Sequence, residues 1–580
     1  MQPTDFTTLT AVCSDLRRDW IPSRLEQVYQ LDRYTISLCL RTLTKKGWLT
    51  ISWHPQGARI CLSSPPPRLR DTFTFSEQLR HQLNGHALTA LKAIAPWERV
   101  VDFQFAKRLG ENPCYHLNVE IMGKYSNVIL TDANNQIITV AHQVTAKKST
   151  VRTVETGQPY QIPPPLTGAT PKLNESFHSW QERVSLIPGR IDKQMLKVYR
   201  GLSPIVVRGM LSQANLDCQQ LTENLSHQDW QNLYKYWQQW LEAIEKEQFQ
   251  AGWTKSGYTV LNWDIQTIAA NLHSLLDTYY KNQLQQETFQ QLRHQLTQKI
   301  SNILSKLKTK GDVYGKRLEQ SQRGEEYRQK GDLLMANLHQ WQPGMKSIIL
   351  NDFETNEHIN ISLDPEKNAI QNAQALYKQH QKLKRAKSAV EPLLEEVIKE
   401  INYLTQVETA VTQLDCDSTP EDLQTLLEIK EELIAEKYFE DSQYAKSPQK
   451  QESQPYRYLS PSGFEVLIGR NNRQNDRLTF RTATDYDLWF HSQEIPGSHV
   501  LLRLKPGAIP DREDLNFTAN LAAYYSQGRE SQQIPIVYTK PKSVYKPKGA
   551  KPGMAIYKKE TIIWGYPQEA KVYLSQQGQP

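Results

Sequence analysis

At 580 residues, with 38% hydrophobic residues, 23% charged residues and a formal net charge of +7, the chain is too long for one hydrophobic core; three or four domains are expected. No window approaches ~18 continuous apolar residues, which excludes a membrane-spanning helix. Six scattered cysteines (Cys13, Cys39, Cys61, Cys114, Cys218, Cys416) without a Cys-x-x-Cys spacing exclude a disulfide framework and a structural zinc site, so a reducing cytosol is expected. Early acids at Asp5 and Asp15, with no long apolar stretch between them, do not read as a signal peptide.

Residues 1 to about 170 alternate helical and strand patterns. The spacing predicts a helix over Ala11 to Leu25. Period-two alternation predicts consecutive strands over Arg24 to Gln30, Thr35 to Leu40 and Trp48 to Trp53. Val119 to Met122 leads into Gly123, and Asn127 to Leu130 begins a hairpin that turns at Asn134-Asn135. The Pro163-Pro164-Pro165 run closes this α+β region.

A helical segment follows to about residue 250. Within it, Lys197 to Pro204 reads as a turn between two helices, in which Gly201 lets backbone amides approach a phosphate and Pro204 opens the second helix. The same turn also suits a plain helix connection.

The centre is a long arm. Phe289, Leu296 and Ile303 repeat every seven residues going out, beside Ile300, Leu307 and Tyr314. Leu376, Leu383, Val390, Val397, Leu404 and Val411 hold the same period coming back, the spacing of a two-helix seam. About 40 residues of helix extend ~60 Å, which suits either docking along a large assembly or a dimerisation coil. Pro392 marks a bend or a restart of the return helix. Ser347 to Leu350 and Ile359 to Leu363 read as a small sheet at the tip. From Glu391 to Asp441 fifteen acids face three lysines, an acidic stem that would aim a basic C-terminal head at nucleic acid. Asp441 to Gln454 reads as a polar linker.

The last hundred-odd residues return to strands over Phe464 to Ile468, Leu478 to Phe480, Val500 to Leu504, Ile536 to Tyr538 and Thr561 to Trp564, with a helix around Phe517 to Gln527. Three clusters stand out. The first is Gly469-Arg470-Asn471-Asn472-Arg473-Gln474-Asn475-Asp476. The second is Asp485-Tyr486-Asp487-Leu488-Trp489-Phe490-His491, followed by Ser498-His499. The third threads Tyr538, Tyr545 and Tyr557 through Lys540, Lys542, Lys546, Lys548, Lys551, Lys558 and Lys559, with no acid between Ile534 and Lys559. Lysine neutralises phosphate and tyrosine stacks on exposed bases, so the run suits RNA. A solvated basic face on an ordinary sheet is the other reading.

No catalytic constellation is evident. Asp485, Asp487, His491 and His499 fit no standard metal-ligand spacing. Adjacent Ser498 and His499 would point to opposite faces of a strand, and no Gly-x-Ser-x-Gly elbow or phosphate loop occurs. No metal and no cofactor is expected, and the chain reads as one that holds RNA without making or breaking bonds.

Together these motifs resemble the NFACT family of ribosome quality-control proteins over nearly the whole chain. The resemblance rests on the C-terminal clusters and Lys548-Gly549-Ala550-Lys551-Pro552-Gly553. It rests equally on Leu79-Arg80-His81, Glu98-Arg99, Glu120 through Leu130, Gly157-Gln158-Pro159-Tyr160, Gly331 through Asn337, Leu363-Asp364-Pro365 and Asn372-Ala373-Gln374. It implies an α+β multidomain fold. The parts are a glycosylase-like α/β domain (1–172), a helix-hairpin-helix domain (173–262), a long antiparallel coiled-coil arm with a small tip sheet (263–445) and an α+β RNA-binding domain (446–571).

The function it implies is binding of a stalled large ribosomal subunit (rRNA) that carries peptidyl-tRNA, recruitment of alanyl-tRNA, and untemplated alanine tailing of the nascent chain. A small S4-domain protein of the RqcP type is a further implied partner, and the implied location is cytoplasmic and ribosome-associated. Glu98, Arg99, Arg80, Glu120, Ile121 and Met122 are the implied tRNA-binding residues. Arg470, Asn471, Asn472, Arg473, Trp489, His491, His499, Lys540, Lys542, Lys546, Lys548 and Lys551 are the implied RNA and ribosome contacts. Glu98 stands where the family has Asp, one methylene longer, and His81 replaces a common lysine. Binding of tRNA is therefore expected to survive while alanine preference is open to change. The N-terminal region also resembles formamidopyrimidine-type DNA glycosylases. Yet Met1-Gln2-Pro3-Thr4 puts the proline one place too far in, and the zinc finger is missing. A surface adhesin is the third alternative.

Overall fold

The computed structural model describes the chain except residues 68–69, 148, 150, 166, 353–356, 415–418, 441–451 and 577–580. It divides into two compact units, residues 1–284 and 285–580.

The first unit is built on a nine-stranded sheet. Its strands lie in the spatial order Arg59–Ser63, Lys46–Ser52, Thr35–Arg41, Ser23–Asp32, Ala87–Ala93, Val100–Ala106, Tyr115–Glu120, Asn127–Asp132, Ile137–Val140. Every neighbouring pair is antiparallel, so this region is α+β and not a parallel α/β domain. The three consecutive strands expected from alternation are present, as is the hairpin at Asn134-Asn135. The opening helix differs from expectation. It spans Phe6–Trp20, capped by the Asp5 carboxylate on the Thr8 amide (2.8 Å), and stops before Pro22 because a residue preceding proline disfavours helical backbone. Leu25 is therefore a strand residue, fully buried.

Four helices follow (Phe177–Ser185, Ile191–Val198, Pro204–Gln213, His227–Glu245) around Trp180, Trp237 and Trp240, each fully buried. Ser203 caps the helix opened by Pro204 and donates to Asp5 at 2.5 Å. Gly201 has φ +80°, and a β-carbon there would collide with the Trp97 ring. The close approach that this glycine permits is thus to an indole, and Trp97 in turn packs on Phe6 and Trp240 at 4.8 and 5.4 Å.

In the second unit, which begins within the long helix Leu272–Gln322, that helix and the helix Gly324–Ala336 pack antiparallel to Ala369–Gln413. Arg293 donates to the Thr412 carbonyl (2.8 Å), Gly311 lies against Val397, Gly324 against Leu383 and Gly331 against Tyr377, so one number falls as the other rises. Val390, Val397, Leu404 and Val411 are buried with Phe289, Leu296 and Ile300, while Leu376, Leu383, Ile303, Leu307 and Tyr314 are half-buried. Pro392 sits inside an uninterrupted helix. The tip sheet pairs Ser347–Asn351 with His358–Ser362, and Asn372 locks its return by accepting from the Asp364 amide at 2.8 Å.

The acidic stem contains a separate helix, Pro420–Ala435, with a capping box between Thr419 and Asp422. Residues 441–451 of the expected linker lie outside the described residues, whereas Ser453 is buried and bonded to Glu428.

Candidate nucleic-acid interface

The C-terminal sheet is antiparallel, in the order Tyr456–Leu459, Glu465–Ile468, Val500–Leu502, Leu488–Ser492, Ile534–Thr539, Thr561–Gly565. One face packs on the helices Arg512–Tyr524 and Pro567–Gln576 through Ile468, Phe490, Val500 and Ile536. The other face carries Leu467, Trp489, Leu501 and Val537. The expected strand over Leu478 to Phe480 is instead a π-turn, Leu478–Thr482, continuing the helix Asn472–Arg477. Three alternating residues are too few to separate a strand from a helical turn.

The first sequence cluster faces the acidic stem. Arg470, 9% exposed, pairs with Asp422 at 2.7 Å and Glu421 at 3.1 Å, and its guanidinium lies 3.7 Å from the centre of the Tyr456 ring. Asn471 donates to Glu428 at 2.8 Å and caps the next helix by accepting from the Gln474 amide at 2.9 Å. Asn472 donates to Glu432 at 3.1 Å, and Glu432 also accepts from Tyr403 at 2.8 Å. Burial pushes the Glu432 carboxyl above its ordinary range, and these two hydrogen bonds pull it back. Gly469 gives room to the Asn475 side chain, whose oxygen accepts from the His499 amide at 3.1 Å. Arg470, Asn471 and Asn472 therefore answer to the stem, and Arg473 alone of the four is exposed.

The second cluster forms an aromatic floor. Trp489 is 1% exposed and donates to Thr479 at 3.0 Å, the same hydroxyl that meets His499 Nδ1 at 2.7 Å. His491 stacks on Trp489 (5.7 Å, 11°), and His499 stands edge-on to both rings. Asp487 is fully buried, pairing with Arg503 (3.1 Å) and accepting from the Leu504 amide (2.9 Å), so it braces the sheet. Among the described residues no group of three or more His, Cys, Asp or Glu is placed to hold a metal.

The lysine run splits. Lys540, Lys542 and Lys548 are exposed, together with Lys558 and Lys559. Lys546 pairs with Asp476, and Lys551 lies over the Tyr403 and Tyr438 rings at 4.7 and 4.3 Å. Of the three tyrosines, only Tyr545 is exposed, because Tyr538 stacks on Phe490 and Tyr557 packs on Trp489.

Sequence reasoning missed Arg477 and Arg481. With Arg473 they line one side of a groove of about 480 Å³ that also holds Phe480, Lys546 and Pro552. Arg477 is met by Glu452, but both are exposed, so the pair is weak. The readable signal was arginine at every fourth position, which helical geometry brings to one face.

In the first unit, the residues carried over as tRNA contacts fall into two places. Glu98-Arg99 and Glu120-Ile121-Met122 meet at one end of neighbouring strands, where the Ile121 amide donates to the Arg99 carbonyl at 2.9 Å. Glu98 is 6% exposed and lies 3.9 Å from Arg200. Arg99 donates to the Thr4 carbonyl at 3.3 Å, and desolvation pulls its guanidinium below the ordinary value against the attraction of Asp5 and Glu98. Glu120 is fully buried, accepting from Arg152 at 2.8 and 2.6 Å and from Tyr160 at 2.9 Å. Ile121 is buried and Met122 half-buried. Arg80 lies elsewhere, paired with Asp71 at 2.9 Å and donating to the Val28 carbonyl at 3.2 Å.

Two outcomes follow from this geometry. Arg470→Ala leaves a buried carboxylate unpaired and is expected to cost about 3–5 kcal/mol of stability in urea unfolding. Arg473→Ala is expected to change it by less than about 0.5 kcal/mol, so equal effects would contradict the division between them. Burial lowers His491 to about 4 and His499 to about 3, the latter helped by the neighbouring His491 ring. Both imidazoles stay neutral when folded but take protons near pH 6.5 when unfolded. Stability is therefore full above about pH 6.5 and falls as pH drops toward 4, by about 1.4 kcal/mol per pH unit for each group. Thermal unfolding of His499→Gln between pH 7 and 5 should show a shallower fall than the native chain, and an identical slope would contradict the burial.

Residues 5–452 match the NFACT N-terminal and middle domains, and residues 454–559 match the NFACT protein RNA binding domain. The Rqc2 homolog RqcH of Bacillus subtilis (strain 168) is 30% identical over 575 residues, covering 95% of this chain and 96% of that protein. The protein of the same name from Streptococcus pneumoniae serotype 2 (strain D39 / NCTC 7466) is 30% identical over 576 residues, covering 97% of each. Among solved structures, the C-terminal part of the fibronectin/fibrinogen-binding protein from Streptococcus suis is 30% identical with a TM-score of 0.38, covering 49% of this chain and 98% of that one. With both domain matches in order and relatives aligned almost end to end, the chain belongs to the NFACT family.

Proposed function

We propose that this protein is a ribosome-associated quality-control factor of the cytoplasm. It binds large ribosomal subunits stalled with peptidyl-tRNA, recruits alanyl-tRNA and directs untemplated alanine tailing, working beside a small S4-domain partner. Peptide-bond formation belongs to the ribosome, so the protein acts as a binding and positioning factor and not as an enzyme. In this reading the first unit is glycosylase-like in architecture, and the two-helix arm is an antiparallel coiled coil that docks along the subunit.

One observation carries the reading most. A domain matched as RNA-binding turns its arginine row and Lys540, Lys542, Lys548, Lys558 and Lys559 outward, while Arg470 and Lys551 are engaged within the chain. Exposed cations bind phosphate by releasing counterions, and that binding weakens steeply with salt. In the first unit, Arg99 and Met122 are the half-buried members of the juxtaposed strand ends, while Glu98 and Glu120 are buried beside Arg200 and Arg152. The relatives' name, Rqc2 homolog RqcH, agrees with this role.

The tagged protein, sedimented through ribosome gradients, is expected with free large subunits that retain peptidyl-tRNA, and its co-purifying tRNA is expected to be enriched in alanine acceptors. Replacing Lys540, Lys542 and Lys548 together with alanine should weaken subunit binding and flatten its logarithmic salt dependence by about one unit per lost contact. A tRNA pool no different from total tRNA contradicts the selectivity, and an unchanged salt slope contradicts the lysine contacts.

A further inference from the structure

Beside the arginine groove, and separated from it by the Lys551–Gly553 loop, the second unit holds a second concavity. Pro552 lines the groove, and Gly553 lines this cavity of about 490 Å³. That volume lies within the range of small-molecule pockets, about 300–1,000 Å³. Its floor is the aromatic stack already described, with the half-buried rings of His491 and Tyr557 backed by Trp489 and His499. The opposite wall is Gln406 on the return helix of the arm, whose amide nitrogen reaches the Gly553 carbonyl at 3.4 Å.

The chemistry of this cavity is unlike that of the groove. Among the described residues no lysine or arginine lines it, and the one charged residue that does is Glu494. Burial raises the Tyr557 phenol most, then Glu560, then Glu494. A carboxylate at the rim repels phosphate and accepts from amino groups. Of the polar groups in the walls, the His491 ring is met by the backbone of Gly497 and Ser492, whereas Gln406 Oε1 is buried without a hydrogen-bond partner. A buried polar atom of this kind calls for an explanation, since leaving it unpaired is costly. Stacking rings, an acceptor at the rim and an unpaired amide oxygen suit a planar heterocycle with exocyclic amino groups. They do not suit an anion, and the mixed polar lining does not suit an aliphatic side chain.

We propose that this cavity receives one unstacked nucleobase of the RNA whose phosphates lie in the adjacent arginine groove. The inference rests on the RNA-binding reading above and adds to it a base-recognition subsite. The groove holds the backbone by charge. Across the loop, the base leaves its stack, lies against His491 and Tyr557, and meets Glu494 with its edge, while Gln406 closes the opposite wall. Affinity then has two separable parts, one dependent on salt and one dependent on the presence of a base.

Fluorescence anisotropy of the full chain tests this with an adenosine 12-mer RNA and an abasic 12-mer of the same length. The base-bearing strand is expected to bind about ten-fold more tightly, within the range measured for base–aromatic stacking. Tyr557→Leu and Gln406→Ala, checked for unaltered thermal unfolding, should bring that ratio near one at an unchanged salt slope. His491→Phe keeps the ring, so it should retain most of the ratio and guards against a folding artefact. Arg481→Ala should weaken both strands equally. Equal affinities with a steep salt slope would overturn the pocket and leave the RNA-binding reading standing, as would a ratio untouched by the Tyr557 and Gln406 variants. Binding of neither strand would overturn both. AMP alone binding as tightly as the 12-mer would overturn RNA as the source of the base.

Discussion

The second unit depends on how one row of carboxylates is answered. Asp422, Glu428 and Glu432 lie along the stem helix Pro420–Ala435, each partly or fully removed from water. Left alone they would repel one another and lose hydration at a cost that packing does not recover. Arg470, Asn471 and Asn472, three consecutive residues of the C-terminal domain, meet them one by one. A single charged pair flanked by two neutral donors satisfies the row without burying three cations. The same short segment then caps the helix that carries Arg473 and Arg477. The internal contact therefore sets the direction of the exposed Arg473 and Arg477.

This arrangement changes the meaning of the charge asymmetry along the chain. An acidic stem beside a basic head suggests a head aimed by repulsion at a polyanion. In the fold, part of each charge neutralises the other, and among the cations left outward are the lysines around Tyr545 and the arginines around Phe480. Lys551 shows the same sorting on a small scale, since its ammonium lies over two tyrosine rings of the stem region. Such contacts hold a cation without a carboxylate.

Much of the framework was legible because it follows periodicity. The sevenfold repeat through Val390, Val397, Leu404 and Val411 is set by one buried face, and the alternation at Thr35 to Leu40 by one apolar face, both faces of that strand being buried. The opening helix was read five residues too far because the pattern outweighed Pro22, whose effect on Ile21 is local and steric. The arginine row was overlooked because its spacing lay across a segment read as a strand. The duties of Arg470, Asn471 and Asn472 were not legible at all. Their partners lie some forty to fifty residues away, and pairing at that distance leaves no local trace. In the first unit, too, the motif residues Glu98 and Glu120 are buried supports, and only the meeting of their two strand ends makes them one site.

The division of cations into inward and outward sets is tested most directly by residue-resolved lysine acetylation, read by mass spectrometry on the free protein and on its complex with large ribosomal subunits. Lys540, Lys542 and Lys548 should react quickly when free and slowly when bound, with Lys551 slow in both. Lys551 reacting as fast as Lys540 in the free protein, or no protection of the other three on the subunit, would contradict it.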